Sequence, residues 1–423
     1  MRSQSPETDR HKAALSLTRP FSSEERALFS LLAAAMFQVG LPPMPEGFDW
    51  KRVIEEARQQ AVLPLVAEGM ASLPPARQAP QELKQAAQQA AFYAVTAYER
   101  ILHTQDQLIA LFQRENIPCV ILKGLGAAAC YPKPELRLQG DIDLLVHRHD
   151  LDRACALLER TGYQENKRPQ DKHIAFLGHG AEVELHYEAA NYPGNPAGEA
   201  IHAHMSQVVD RAVQVALGPY RFPALKGLDQ AVSLLMHMQR HIWAEGLGLR
   251  QLCDWTMFVH HLEEGRWEQE IAPALQSFGL YRFAQIVTGS CAKYLGLPEQ
   301  ACRWHRGIGA DDLSHSLLID LVSSGNFGRK DPDRQGYILI EGPANGKPIR
   351  VSPVSRINAK ARLHMPLCKR YPFLLPVAWV YLPVRYYLGR RKGKYMPIRL
   401  NPAAISKAKT RAGLYRRFHL FEP

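Results

Sequence analysis

The sequence predicts an α+β fold: a small mixed β-sheet core flanked by N- and C-terminal helical regions. Three observations carry that expectation. Residues 21–116 are helix-periodic, short β-branched runs gather between 117 and 225, and helical periodicity returns from Leu228 onward. At 423 residues the chain is long enough for several domains. The expected divisions are a flexible tail (1–20), a helical lead-in (21–116), an α/β core (117–225), a helical domain (226–331) and a basic C-terminal region (332–423).

Each element follows from local signals. Ser22 and Glu25 have capping-box spacing ahead of the helical run "EERALFSLLAAAMF". "DWKRVIEEARQQAVLPLVAEGMASL" is helix-periodic, and a long helical pattern with few breakers runs from Gln81 to Asn116. "PCVILK" is a short strand, and "GLGAAACY" suits a glycine-rich turn into a helix. "DIDLLV" is a second strand, "DLDRACALLERTGY" an amphipathic helix, and "HIAFLGHGAEVELHYEA" a hairpin turning near His179-Gly180. "YRFPAL" is a last strand before "LDQAVSLLMHMQRHIWAE" and three further helical runs.

Composition narrows the class. Apolar residues at 46% and charged residues at 22% are ordinary for a globular protein. The seven cysteines, 119, 130, 155, 253, 291, 302 and 368, are scattered and form no Cys-x-x-Cys pair. That pattern argues against a disulfide framework or a zinc ribbon and fits a reducing compartment. The polar N-terminus lacks the apolar core of a signal peptide, so a cytoplasmic protein is expected. The net charge of +11 is uneven: residues 342–423 hold 18 Lys and Arg against Glu422 alone, which leaves −6 for the rest.

That basic region is read separately. "RRKGK" and "KAKTRAGLYRRF" mix aromatics with basic residues, as a polyanion-binding patch does. The apolar-rich run from Tyr371 to Leu388 precedes Arg390, Arg391, Lys392 and Lys394, as at a membrane surface. Pro372, Pro376, Pro383 and Arg385 interrupt it, which argues against a spanning helix of about 20 residues. A solvated surface is the plain alternative, and peripheral contact with anionic membrane or polyanion through 342–423 is the expectation.

The chemistry concentrates in "LKGLGAAACYPKPELRLQGDIDLLV". Residues i and i+2 of a strand share a face, so Asp141 and Asp143 point one way while Ile142, Leu144 and Val146 share the other. Two like charges side by side repel unless a cation lies between them. Mg²⁺ takes oxygen ligands and shares them between carboxylates and substrate phosphates. A third carboxylate is expected from "AEVELHYEA", where Val183, Leu185 and Tyr187 alternate with Glu182, Glu184, His186 and Glu188. Glu184 is central and preferred, with Glu182 as the fallback. Gly124 allows a close backbone approach to phosphate at a helix start, Lys123 adds a positive charge, and Arg137 has a fork suited to phosphate. Together these residues point to metal-assisted phosphoryl or nucleotidyl transfer.

The run from Leu122 to Val146, then "VELHYEA" and "LLMHMQRHI…LRQLCDW", resembles an uncharacterised bacterial nucleotidyltransferase family of the DNA polymerase beta-type superfamily. The resemblance covers roughly residues 25–300, with a weaker echo in "SSGNFGR" at 323–329. It implies a mixed sheet flanked by helices and transfer of a nucleoside monophosphate from an NTP such as ATP, with release of pyrophosphate. It implies that Asp141, Asp143 and Glu184 are catalytic and hold Mg²⁺ (Mn²⁺ as the alternative), Glu184 also helping to deprotonate an acceptor hydroxyl. Gly124 would sit in the phosphate turn, beside Lys123 and Arg137. The chain departs from the wider superfamily by having Lys123-Gly124-Leu125 where a Gly-Ser turn is usual, and the subfamily shares that departure. A degenerate nucleotide-binding module and a membrane-surface or polyanion-binding scaffold therefore stay open as rival functions. The acceptor, whether small molecule, peptide, lipid, glycan or RNA, is not legible.

Other residues have blander readings. His237 and His241 share a helix face, with Asp254 or Glu245 as a conceivable third ligand, but Met238 stands where a zincin has Glu. Polar groups lining a cleft are the favoured reading, and His241, Arg250 and Asp254 become acceptor-side candidates through the resemblance. Cys119 and Cys130 read as small core residues. His179 and His186 are candidates to face the site, His186 on the polar face of Glu184.

Overall fold

The computed structural model describes residues 15–38, 43–166, 172–306, 310–331, 334, 342–344, 347–349, 358, 361, 365, 367–391 and 402–422. It opens with α1 (Ser23–Phe37), α2 (Trp50–Gln59), α3 (Leu63–Ala71) and the long α4 (Gln81–Arg114). The capping box forms as expected: the Ser22 hydroxyl accepts from the Glu25 N–H at 3.2 Å, and the Glu25 carboxylate accepts from the Ser22 N–H at 2.9 Å.

Seven strands follow: β1 (Cys119–Ile121), β2 (Ile142–Val146), β3 (Gln164–Asn166), β4 (His173–Gly178), β5 (Ala181–His186), β6 (Val213–Leu217) and β7 (Tyr220–Ala224). They form one mixed sheet in the order β3-β4-β5-β2-β1-β7-β6. Pairing is parallel between β2 and β5 and between β1 and β7, and antiparallel elsewhere. The hairpin turn falls at His179 (φ 49°) and Gly180 (φ 75°), the left-handed pair that two-residue hairpin loops favour. Two strands were not read from sequence. β3 is a three-residue edge strand, and β6 carries only one buried side chain, Leu217, so neither has a strong apolar pattern.

Between the strands lie α5 (Leu125–Ala128), α6 (Leu151–Arg160) and α7 (Pro196–Met205). The helical half holds α8 (Gly227–Trp243), α9 (Leu249–His260), α10 (Ala272–Ser277), α11 (Tyr281–Tyr294), α12 (Glu299–Cys302) and α13 (Ala310–Ser324). Beyond it come the hairpin β8 (Gly342–Ala344) and β9 (Lys347–Ile349), then α14 (Leu367–Arg370), α15 (Leu375–Arg391) and α16 (Pro402–Arg416).

Strand alternation sorts side chains into two cores. Ile142, Leu144, Val146, Val183 and Leu185 pack with Ile101, Leu108 and Phe112 of α4 and Leu157 and Leu158 of α6. Val120, Leu122 and Leu145 face the other way, into the larger core built by α8, α9 and the N-terminal helices. Each fully buried Leu or Phe in these cores contributes roughly 1.5–3 kcal/mol. Asp143 therefore lies on the face that meets the helical half.

The basic C-terminal region is not uniformly a charged surface. Arg411 of α16 is buried, its Nε 2.7 Å from Asp320 Oδ1 and its Nη2 2.7 Å from Asp331 Oδ2. Arg334 adds an Nη1 contact to Asp320 at 3.1 Å, and Tyr415 donates its hydroxyl to Asp320. This cluster ties α16 to α13 of the helical half. By contrast α15 exposes Val377, Trp379, Val380, Tyr381, Val384 and Leu388. Among the described residues, no helix is long and apolar enough to cross a membrane. Residues 392–401, which include Lys392 and Lys394, and most of the expected N-terminal tail, 1–14, lie outside the described residues.

Candidate active site

The site grows from one register. In the parallel pair β2–β5, Asp143 stands beside Glu184. Asp141 lies one residue before β2, so the two aspartates flank Ile142 at the strand's start rather than both lying within it. The carboxylate oxygens of Asp141, Asp143 and Glu184 can lie within 4.8 Å of one another. Asp143 is buried, while Asp141 and Glu184 are half-buried and line a cavity of about 840 Å³. Glu182, the fallback, is exposed at the cavity's edge.

Charge explains how these carboxylates divide. The negative charge of Asp143, then burial, pushes Asp141 up to about 6. Burial would also raise Asp143, but the Lys123 ammonium, 2.9 Å away, and the His186 ring hold it far below the ordinary carboxylate value. Glu184 is lowered against burial by its hydrogen bond with His186 and by Lys123. The three acids in turn raise Lys123, outweighing its burial. Lys123 is in direct ion-pair contact with Asp143, and Lys172 interacts with Asp143 and Glu184 from farther off. An all-oxygen set of this kind matches a hard divalent cation.

Lys123-Gly124 closes β1 as expected. Gly124 has φ 67° and ψ −114°, a conformation that disfavours a side chain. The helix after it is one turn long, so the backbone turn, rather than a helix dipole, is what this corner offers.

Arg137 differs from its expected role. Its Nε and Nη2 each lie 2.8 Å from an Asp254 carboxylate oxygen, and its Nη1 is 3.1 Å from Gln139 Oε1. The fork is taken by a buried, bidentate ion pair and is not open for bidentate phosphate contact. Asp254 also accepts from the Tyr131 hydroxyl at 2.8 Å. Both residues border the cavity, and together they lock the "PELRLQG" loop onto α9.

Arg250 lies one turn away. Its Nη1 donates to the Leu138 carbonyl at 3.1 Å, its buried Nε has no hydrogen-bond partner among the described residues, and burial and then Arg137 lower its pKa. His237 and His241 stack edge to face at 4.4 Å on the cavity wall, and burial lowers both. Both line the same cavity as the acidic cluster. Cys119 and Cys130 are pushed up to about 12 and about 11 by burial, which suits inert core thiols. His179 is spent on the hairpin turn, 2.9 Å from the Thr161 carbonyl.

The sequence reading missed Lys172, His173, Arg240 and Phe327. Lys172 is buried and brought down to about 8 by burial, then Lys123 and Arg240. Phe327 (φ 54°) lies 4.8 Å from the His241 ring and 6.0 Å from the Arg250 guanidinium. The "SSGNFGR" echo thus lines the same cavity. Its Gly328 (φ +70°) allows the close approach to Glu245, whose carbonyl would lie 2.5 Å from any Cβ.

Acids from two adjacent strands, beside a lysine-glycine turn and inside a deep cleft, define a site able to hold a divalent cation and a polyphosphate. The chain belongs to a family of uncharacterised nucleotidyltransferases, whose model matches residues 46–296. No curated protein matches the chain. The matched span contains the whole seven-stranded sheet, the acidic cluster, α8 and α9. Family membership supports a nucleotidyl-transfer function.

Proposed function

We propose that the protein transfers a nucleoside monophosphate from an NTP to an acceptor hydroxyl or phosphate and releases pyrophosphate. The observation that carries this reading is the in-register Asp143–Glu184 pair with Asp141, open to a cavity large enough for a nucleotide. The donor set fits Mg²⁺ or Mn²⁺ held by Asp141, Asp143 and Glu184. Such a cation, when bound, neutralises charge on the transferring phosphoryl group. Lys123 and the Gly124 turn hold the triphosphate. The acceptor oxygen attacks the α-phosphorus, the bond to the β-phosphate breaks, and pyrophosphate leaves. Glu184 takes the acceptor proton. Arg137 and Asp254 position the loop that carries Asp141, and Arg250, with its free Nε, and His241 face the acceptor.

The test follows label from each α-phosphate-labelled NTP into mixed small-molecule, peptide, lipid, glycan and RNA acceptors, with pyrophosphate release read in parallel. Metal-dependent transfer that Asp143→Asn abolishes is the expected result. Nucleotide binding without any transfer would instead support a degenerate binding module.

A second reading concerns where the protein acts. We infer peripheral contact with an anionic bilayer through α15. Its exposed Trp379, Val380, Val384 and Leu388 sit in a segment without a single acid from 342 to 421, so apolar insertion and charge attraction coincide. Co-sedimentation with vesicles containing anionic phosphatidylglycerol, lost in Trp379→Ala/Val380→Asp, is expected. Binding to polyanionic RNA but not to vesicles would overturn this placement.

A further inference from the structure

The polar face of the β4–β5 hairpin carries two histidines that the transfer reading does not use. β4 and β5 pair with His173 directly opposite His186, and Glu184 lies two residues away on the same face. The His173 Nε2 is 3.4 Å from Glu184 Oε1, and the His186 Nε2 is 3.2 Å from Glu184 Oε2. Two ligand atoms held about 2.0–2.1 Å from one tetrahedral ion lie roughly 3.3 Å apart. The two contacts run to different oxygens of Glu184, and one ligand atom from each of the three residues lies within 4.8 Å of the others, close enough for one ion to gather them.

Two further observations suit a cation at this position. His173 is 4% exposed, yet neither of its ring nitrogens makes a hydrogen bond among the described residues; the 3.4 Å contact to Glu184 is close but lacks bonding geometry. A buried imidazole with both nitrogens unpaired is costly and calls for a partner. His186 is fully buried, and its Nδ1 lies 3.4 Å from the Glu188 carbonyl. Its Nε2 lies 3.0 Å from Asp143 Oδ1 and 3.2 Å from Glu184 Oε2, within hydrogen-bond reach of both carboxylates. Without a metal, a proton on Nε2 is donated to these carboxylates; a bound metal would take that proton's place, with the ring proton moved to Nδ1. A backbone carbonyl at Nδ1 is also the usual outer-shell support of a metal-bound histidine.

We propose that His173, Glu184 and His186 form a separate, nitrogen-rich site for a divalent transition ion of the zinc class. Glu184 bridges this site to the oxygen site of Asp141 and Asp143. Two imidazoles and one carboxylate discriminate against Mg²⁺ and Mn²⁺, which prefer oxygen, and in favour of Zn²⁺ or Co²⁺. The inference builds on the proposed transfer reading only through the shared Glu184. Its consequence is a site with two unlike metal positions: one exchangeable with the nucleotide, one resident. A resident ion at Glu184 would pin that carboxylate and leave less of it to act as a base.

The test uses the full chain, stripped with chelator and then titrated with Co²⁺ as a spectroscopic probe and with Zn²⁺ followed by elemental analysis. The wild type is expected to retain about one Zn²⁺ per chain through gel filtration and to show the visible Co²⁺ bands of low-coordinate nitrogen ligation. His173→Ala is expected to weaken Zn²⁺ binding by at least about tenfold, and Asp141→Asn to leave it in place. Should His173→Ala fail to fold, His173→Gln replaces it, and the wild-type Co²⁺ spectrum stands as an independent readout. A wild type that retains no Zn²⁺, or Zn²⁺ binding unchanged by loss of His173, overturns the site. Loss of the nucleotide response in Asp141→Asn with Co²⁺ binding intact separates this inference from the transfer reading.

Discussion

Two buried charge clusters in this molecule solve opposite problems. Around Asp320, the carboxylate meets Arg334, Arg411 and the Tyr415 hydroxyl, while Asp331 takes the second face of Arg411. Two guanidiniums balance two acids, and Asp320 is held far below the ordinary carboxylate value against its burial by Arg334 and Arg411. Around Asp143, three carboxylates share one nearby ammonium, and Asp141 is pushed up to about 6. The first cluster is complete as a joint. The second is left with more acids than cations in direct contact, and under the proposed function a divalent cation and a polyphosphate would complete it.

The largest expected difference is in stability. Asp320→Ala strips the buried Arg334 of its carboxylate and leaves Arg411 with Asp331 alone, and should cost about 3–5 kcal/mol in urea denaturation. Arg137→Ala strands Asp254 in the same way and should cost about the same, more than loss of a solvent-facing phosphate grip would. An Arg137→Ala variant of wild-type stability with weakened nucleotide binding would instead restore the phosphate role. Asp141→Asn should lose nothing in the metal-free protein, because it removes a like charge beside Asp143, while abolishing metal-dependent nucleotide binding.

The pH profiles should diverge in sign. Asp320, lowered in the folded state, adds stability that is fully present above the unfolded carboxylate value near 4 and is lost as pH falls further. Asp141, raised to about 6, binds its proton more tightly when folded, so it subtracts stability as pH rises from about 4 to about 6. Melting curves in chelator should show that decline in the wild type and a flatter curve in Asp141→Asn. The smallest effect is expected on the surface: Val380→Asp should change stability by less than about 0.5 kcal/mol while weakening vesicle binding.

Much of the fold and part of the site were legible in the sequence. Alternation exposed β2, β4 and β5, and the Lys-Gly turn and acidic pair located one wall of the cavity. The histidine pair was nearly legible too: a turn at His179-Gly180 sets Gly178 opposite Ala181, and counting outward sets His173 opposite His186. What stayed hidden is long-range pairing. Nothing near Arg137 announces Asp254, which is far along the chain on α9, and nothing in a run of basic residues separates buried Arg411 from its solvent-facing neighbours. β3 and β6 were missed because edge strands carry little apolar signal.

The most direct measurement is a thermal-shift titration of the wild type and an Asp141→Asn/Asp143→Asn variant with ATP, CTP, GTP and UTP, each with and without Mg²⁺. A ligand that binds only the folded state raises the melting temperature by mass action. A Mg²⁺-dependent rise with at least one nucleotide, absent in the variant, is the predicted result. An equal rise in both proteins, or none in the wild type, would contradict a donor site at the carboxylate cluster.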